Sequence, residues 1–167
     1  MKTFSTTLLI VLLLLINTNR MQAQTTQIKL NQVELMKQFI GTWKSEFGEG
    51  TIFTSENRPF GNGMICISQI VTKGKIVDSV TQLFGYDNKT DKFIIAELKT
   101  SSPVIELCST WFSSKNTGEI VVTNPDNAPY SFKFEFKTPD MIIQIAIVDG
   151  KVVNEITLTR IESDIKN

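Results

Sequence analysis

The clearest rhythm in the chain is the segment YSFKFEFKT, in which Tyr130, Phe132, Phe134 and Phe136 alternate with Ser131, Lys133, Glu135 and Lys137. Successive side chains of a strand point to opposite faces, so this segment predicts a strand with one buried and one wet face. A different period precedes Gly41. Val33, Met36, Phe39 and Ile40 fall on one side of a helix over Asn31 to Phe39, with Asn31 placed as N-cap and Glu34 three residues on. From Thr42 to the C-terminus no helical period recurs, and short apolar-rich runs alternate with turn signals.

Those runs predict strands at Thr42 to Phe47, Gly50 to Thr54, Met64 to Thr72, Ile76 to Tyr86, Lys92 to Thr100, Val104 to Ser113, Glu119 to Asn124, Pro129 to Thr138, Met141 to Val148 and Lys151 to Ile161. The connectors include Lys73-Gly74-Lys75, Asp87 to Asp91, Lys115 to Gly118, Thr138-Pro139-Asp140 and Asp149-Gly150, all rich in residues that tolerate positive φ or preset a turn. Links this short make sequential strands antiparallel neighbours. The expected fold is therefore all-β, an up-and-down antiparallel meander barrel of about 8 to 10 strands with a short N-terminal helix.

Two strands complicate a simple inside-outside alternation. Met141 to Val148 is apolar on both faces except at Gln144, which predicts a local cover for its outer side, either the N-terminal helix or a partner subunit. In the last strand Arg160 falls on the same side as Val152, Ile156 and Leu158, so a charge lies on the apolar face.

The N-terminus reads as a processing signal. Lys2 precedes an unbroken apolar run from Leu8 to Ile16, and Met21-Gln22-Ala23 supplies a small residue at the expected cut. Nine apolar residues are fewer than the ~20 a membrane-spanning helix requires. The chain thus divides into a signal peptide at 1–23, a loose tail at 24–30 and one barrel domain at 31–167, with a secreted or periplasmic product and no membrane span. Neither cysteine lies at the cut, which disfavours a lipid anchor.

Processing removes Lys2 and Arg20 and leaves 15 basic against 17 acidic residues, a net of −2. That balance argues against a nucleic-acid partner, whose binding face is normally basic. The chain contains no histidine. Histidine-activated nucleophiles, histidine-ligated haem and most zinc sites are thereby excluded, and no catalytic residue, metal site or cofactor is assigned. Asp78, Glu97, Glu106 and Glu135 fall on different strands, and alternation alone brings no two of them inward together. Asp87 and Asp91 have the spacing of two calcium-loop positions, but the loop's glycine and final glutamate are missing, and turn chemistry accounts for them. The even cysteine count invites a bridge between Cys66 and Cys108. Their positions on the third and sixth strands put them ~14 Å apart along a sheet, however, so two buried free thiols are expected.

A short helix, then Gly41-x-Trp43 opening the first strand, then a long meander closing in Thr159-Arg160, resembles the calycin superfamily of lipocalins and fatty-acid-binding proteins. The likeness spans residues 31–167. It is nearer to small secreted bacterial lipocalin-like proteins of unknown function, through Phe39-x-Gly41-Thr42-Trp43 and the Gly85-Tyr86-Asp87 turn. The resemblance implies structural roles for Gly41, Trp43 and Arg160, with the arginine packed on the tryptophan at the closed end. It names no ligand. The fatty-acid-binding branch places a tyrosine two residues after its last-strand arginine, where this chain has Glu162.

The function expected from these readings is non-enzymatic: an exported barrel holding a small apolar or amphipathic ligand inside. Tyr130, Phe132, Phe134 and Phe136 are the candidate lining, with Arg160 and Gln144 as candidate polar contacts. Plain core packing for the aromatic face, and closure against Trp43 for Arg160, are the simpler readings of the same residues. The alternative function is a structural or interaction module of the cell envelope with a filled core. Oligomeric state is left open by the sequence.

Overall fold

The computed structural model describes residues 29–126 and 128–162. The predicted signal peptide at 1–23 and most of the predicted tail lie outside the described residues. Ten strands form a closed antiparallel barrel, each hydrogen-bonded to its neighbours in sequence. They are β1 (Gly41–Phe47), β2 (Thr51–Phe60), β3 (Gly63–Thr72), β4 (Lys75–Asp87), β5 (Lys92–Lys99), β6 (Ser102–Phe112), β7 (Thr117–Asn124), β8 (Tyr130–Thr138), β9 (Met141–Val148) and β10 (Lys151–Ile161). Closure is made by β1 on β10, with Thr42, Trp43 and Lys44 opposite Ile161, Arg160 and Thr159. This is the up-and-down barrel expected from the alternation, and it is compatible with a calycin-like fold.

The largest difference from the sequence reading is β2, expected to stop at Thr54 and found to run on to Phe60. Its extension, Ser55 to Arg58, is polar and looks like loop. Yet Ser55 and Asn57 point inward and are buried. Interior hydrogen bonds, rather than apolar area, hold this stretch in the sheet: Asn57 Nδ2 donates to the Phe39 carbonyl at 2.9 Å.

Helix α1 (Gln32–Met36) continues as a 3₁₀ turn over Lys37–Phe39. Asn31 caps it as expected, its Oδ1 accepting from Glu34 N at 3.2 Å. The helix does not cover the outer face of β9; it plugs one end of the barrel. Gln32, buried, acts there as a peptide surrogate: its Nε2 donates to Phe112 O at 2.9 Å and its Oε1 accepts from Phe112 N at 2.7 Å. On the outer face of β9, Ile143 and Ile145 are only half-buried and stand beside Glu135 and Lys133 of β8 and Thr157 and Glu155 of β10. The stems of such long side chains cover apolar surface while their heads stay wet.

Under the helix lies an aromatic floor. Phe39 meets Phe134 and Phe136 with ring centroids 5.0 and 4.9 Å apart, both edge to face, and Phe112 meets Phe134 at 5.0 Å. Edge-to-face pairs of this kind add ~0.5–1.5 kcal/mol each beyond area burial. Room for Phe134 comes from its cross-strand partner Gly118, where an added Cβ would collide with the phenyl ring and with the Trp111 carbonyl.

The last helical turn ends half-buried against the barrel, so its carbonyls need partners. Trp43, 1% exposed, donates its Nε1 to Phe39 O at 2.7 Å, joining Asn57 on the same acceptor. Arg160 donates Nη2 to Gln38 O at 3.0 Å and to Pro139 O at 2.9 Å, Nε to Asp140 Oδ1 at 3.0 Å, and Nη1 to Ile40 O. Its guanidinium also lies over the Trp43 ring, with Cζ 4.2 Å from the centroid. Gly41 makes the approach feasible: its φ is +124°, and a Cβ there would strike Arg160 Nη1.

A double-mutant cycle on Trp43→Phe and Arg160→Met, read by urea denaturation, tests this latch. Each single variant is expected to lose ~1–3 kcal/mol, and the coupling between them should be ~0.5–2 kcal/mol. Additive losses would remove the Trp43–Arg160 interaction from the account.

Candidate functional site

Above the aromatic floor the barrel interior is open. A cavity of about 200 Å³ has two chemically distinct walls. Met64, Phe84, Ile95, Ile142 and Leu158 make its apolar side. Ser55, Asn57, Ser68, Gln82, Glu97, Thr110 and Gln144 make its polar side. A second space of about 670 Å³ lies outside the plugged end, between α1, the β2–β3 hairpin and Tyr86. Met36, Met64 and Phe84 line both, so these side chains form the partition between groove and interior.

The polar wall leads to a charged cluster near the opposite rim. Glu97 on β5 and Glu106 on β6 are direct cross-strand partners, on the inward parity of Phe93 and Ile95 and of Cys108 and Thr110 respectively. Lys99 lies between them, its Nζ 3.1 Å from Glu97 Oε1 and 3.2 Å from Glu106 Oε2. Tyr130 donates its hydroxyl to Glu106 Oε2 at 2.7 Å, and Gln82 Nε2 donates to Glu97 Oε2. Two carboxylates thus share one ammonium.

Burial and the two carboxylates together shift the neighbouring groups. Burial, then the hydrogen bond to Glu106, pushes the Tyr130 hydroxyl up to about 12. Burial, then the charges of Glu97 and Glu106, pushes the Cys108 thiol up to about 11. Burial alone would pull Lys99 down, but its bonds to Glu97 and Glu106 outweigh that and hold the ammonium above its ordinary value. The Tyr130 hydroxyl, opposed by burial and assisted by Lys99, holds the Glu106 carboxyl below its usual range. Burial also raises Cys66, despite the Ser55 and Ser68 hydroxyls at 3.2 and 3.3 Å from its sulfur. Both cysteines are buried and free, a setting that makes thiols inert.

The residues singled out from sequence are distributed unevenly around this site. Gln144 lines the cavity. Phe134 and Phe136 are fully committed to the aromatic floor, and Tyr130 belongs to the charged cluster while packing on Phe132 at 6.0 Å. Arg160 stands at the plugged end with four N–H groups spent on Gln38, Ile40, Pro139 and Asp140, which leaves it badly placed to hold an anion in the interior. Gly41 and Trp43 sit with it in the latch, and Trp43 also closes the cavity from below. Glu97, Lys99, Glu106 and Gln82 were missed as a group. The signal that places them is the Thr100-Ser101 turn between β5 and β6, whose register brings the two glutamates opposite each other.

Among the described residues no group of three or more potential metal ligands is assembled, and no helix is long and apolar enough to cross a membrane. No protein-family model and no curated protein matches the chain.

The cluster has a definite pH signature. A group whose folded pKa is raised contributes stability in full below its unfolded value and loses it as pH climbs through the folded one. For Tyr130 that window runs from 10.0 to about 12. Glu106, whose pKa is lowered, contributes above the ordinary carboxylate range and loses that contribution as pH falls through it. In a spectrophotometric titration one tyrosine should ionise only near pH 12, Tyr130→Phe should remove that late step, and Glu106→Gln should bring it earlier. A Tyr130 ionising at its ordinary value would show that the bond to Glu106 is not made in solution.

Proposed function

We propose that the protein is an exported, non-enzymatic binding protein that carries a small amphipathic molecule inside its barrel. The observation that carries this reading is the two-sided cavity, apolar along Met64, Phe84, Ile95, Ile142 and Leu158 and polar from Ser68 and Gln82 up to Glu97. A volume of about 200 Å³ is below the ~300 Å³ at which drug-sized pockets begin. The ligand is therefore small, with a short apolar body and one polar end. Export follows from the apolar run at Leu8 to Ile16 and agrees with the lipocalin-like resemblance. The histidine-free composition and the engaged state of Glu97, Lys99, Glu106 and Tyr130 favour binding over catalysis.

A second reading, a cell-envelope interaction module, draws on the outer surface. Leu83, Leu98 and Ile105 face outward on β4, β5 and β6 and are about half exposed, at 48, 47 and 54%, with Leu98 directly opposite Ile105. The cavity distinguishes the two. Hexanol titrated into the purified protein should shift the NMR signals of Met64, Ile95 and Ile142. Ser68→Leu, which fills the cavity from β3, should abolish those shifts while changing stability by less than ~2 kcal/mol. Leu98→Glu on the outer face should leave them unchanged. Hexanol binding that survives Ser68→Leu would transfer the function to the outer surface.

A further inference from the structure

The polar end of the ligand can be specified further. Resting on the interior-binding reading above, we infer that the cavity selects a small organic cation, a primary ammonium on a short apolar body, with Glu97 as its counter-charge. Three features of the cavity and its charged rim lead there.

The first is the sign of the wall. Glu97 is the one charged residue among the described residues that line the cavity. A carboxylate of the ligand would meet it at close range, and neither nearby cation is free to receive it: Arg160 is committed to the plugged end, and Lys99, which offsets part of the Glu97 charge, is shared between two carboxylates. Attraction and repulsion of this kind are strong in a partly dry interior.

The second is the balance of donors and acceptors. The Thr110 hydroxyl spends its proton on Glu119 O at 2.9 Å. The Asn57 amide nitrogen is engaged with Phe39 O, and the Gln82 amide nitrogen with Glu97. These side chains still offer acceptor oxygen, in the amide carbonyls of Asn57 and Gln82, the Thr110 lone pairs and the lone pairs of Glu97 not used by Lys99 and Gln82, while Ser55, Ser68 and Gln144 on the same wall can donate as well as accept. An ammonium carries three donors and no acceptor, and a carboxylate the reverse.

The third is the charge balance of the whole cluster. Glu97 and Glu106 face a single ammonium, Lys99, and the hydroxyl of Tyr130 supplies a hydrogen bond but no charge. Against the pull of burial, the bonds to Glu97 and Glu106 hold Lys99 above its ordinary value, and the same two carboxylates add to the burial that raises Cys108. A bound cation supplies the missing charge, and the apolar wall from Met64 to Leu158 receives its alkyl body.

Three probes of one length settle the choice: hexylammonium, hexanol and hexanoate, each titrated calorimetrically at neutral pH. Hexylammonium should bind about tenfold or more tightly than hexanol, and hexanoate should not bind measurably. Glu97→Gln should bring hexylammonium and hexanol to similar affinity. Should that variant fail to fold, Glu106→Gln leaves the cavity wall intact, relieves the charge excess, and should reduce the hexylammonium preference several-fold. Hexanol binding as tightly as hexylammonium, or a preference unmoved by both glutamate variants, would overturn the cation assignment and leave interior binding standing. If none of the three binds, interior binding itself falls.

Discussion

A helix whose end packs half-buried against a barrel hands its last carbonyls to donors, and in this barrel that requirement organises everything else. The oxygens of Gln38, Phe39 and Ile40 are taken by Arg160, by Trp43 with Asn57, and by Arg160 again. The donors come from β10, β1 and β2, so satisfying one helix end clamps together the strands at which the barrel closes. Leaving such groups unpaired when buried costs ~1–3 kcal/mol apiece. The cation over the indole face strengthens the clamp, but the carbonyls are the reason it must exist. They also decide which end of the barrel is plugged.

Once that end is shut, the interior becomes graded. The aromatic floor of Phe39, Phe112, Phe134 and Phe136 sits directly on the plug. A mixed middle follows, where Met64, Ile95 and Ile142 share the wall with Ser55, Ser68 and Gln144. The charged cluster of Glu97, Lys99 and Glu106 lies near the far rim, closer to water. Such an arrangement places each class of side chain where its burial is cheapest, and it leaves space only where the floor's large rings give way to serines.

The fold was legible in the sequence because β strands advertise themselves by alternation. β8, β9 and β10 could be bounded to within a residue from Phe-x-Phe spacing and turn residues alone. The latch was legible through a resemblance resting on Gly41, Trp43 and Arg160. What alternation could not reveal was the far half of β2, because Ser55 and Asn57 are inward polar residues in a polar part of the interior. The same cause hid the candidate site. Alternation alone brought no two of the strand carboxylates inward together, and it is the register of the β5–β6 hairpin that sets Glu97 opposite Glu106, each on the inward side of its strand. The aromatic stripe, conversely, drew notice as a ligand wall, and its Phe134 and Phe136 belong to the packed floor: hydrophobicity marks an inner face without telling filled space from empty space.

That distinction bears on why the charged cluster exists at all. A packed barrel gains nothing from two inward carboxylates, since taking charges out of water costs free energy that an ion pair recovers only with excellent geometry. Here Lys99 serves both glutamates at 3.1 and 3.2 Å, yet one negative charge stays uncompensated. The Glu97 and Glu106 side chains retain 14 and 20% exposure, so solvent softens the penalty without removing it. If stability alone had shaped this region, apolar residues matching Ile95 and Val122 nearby would serve better. Local departures from the fold's own packing rules are expected where a site has to be kept, and this barrel departs from them where its interior cavity meets the paired glutamates.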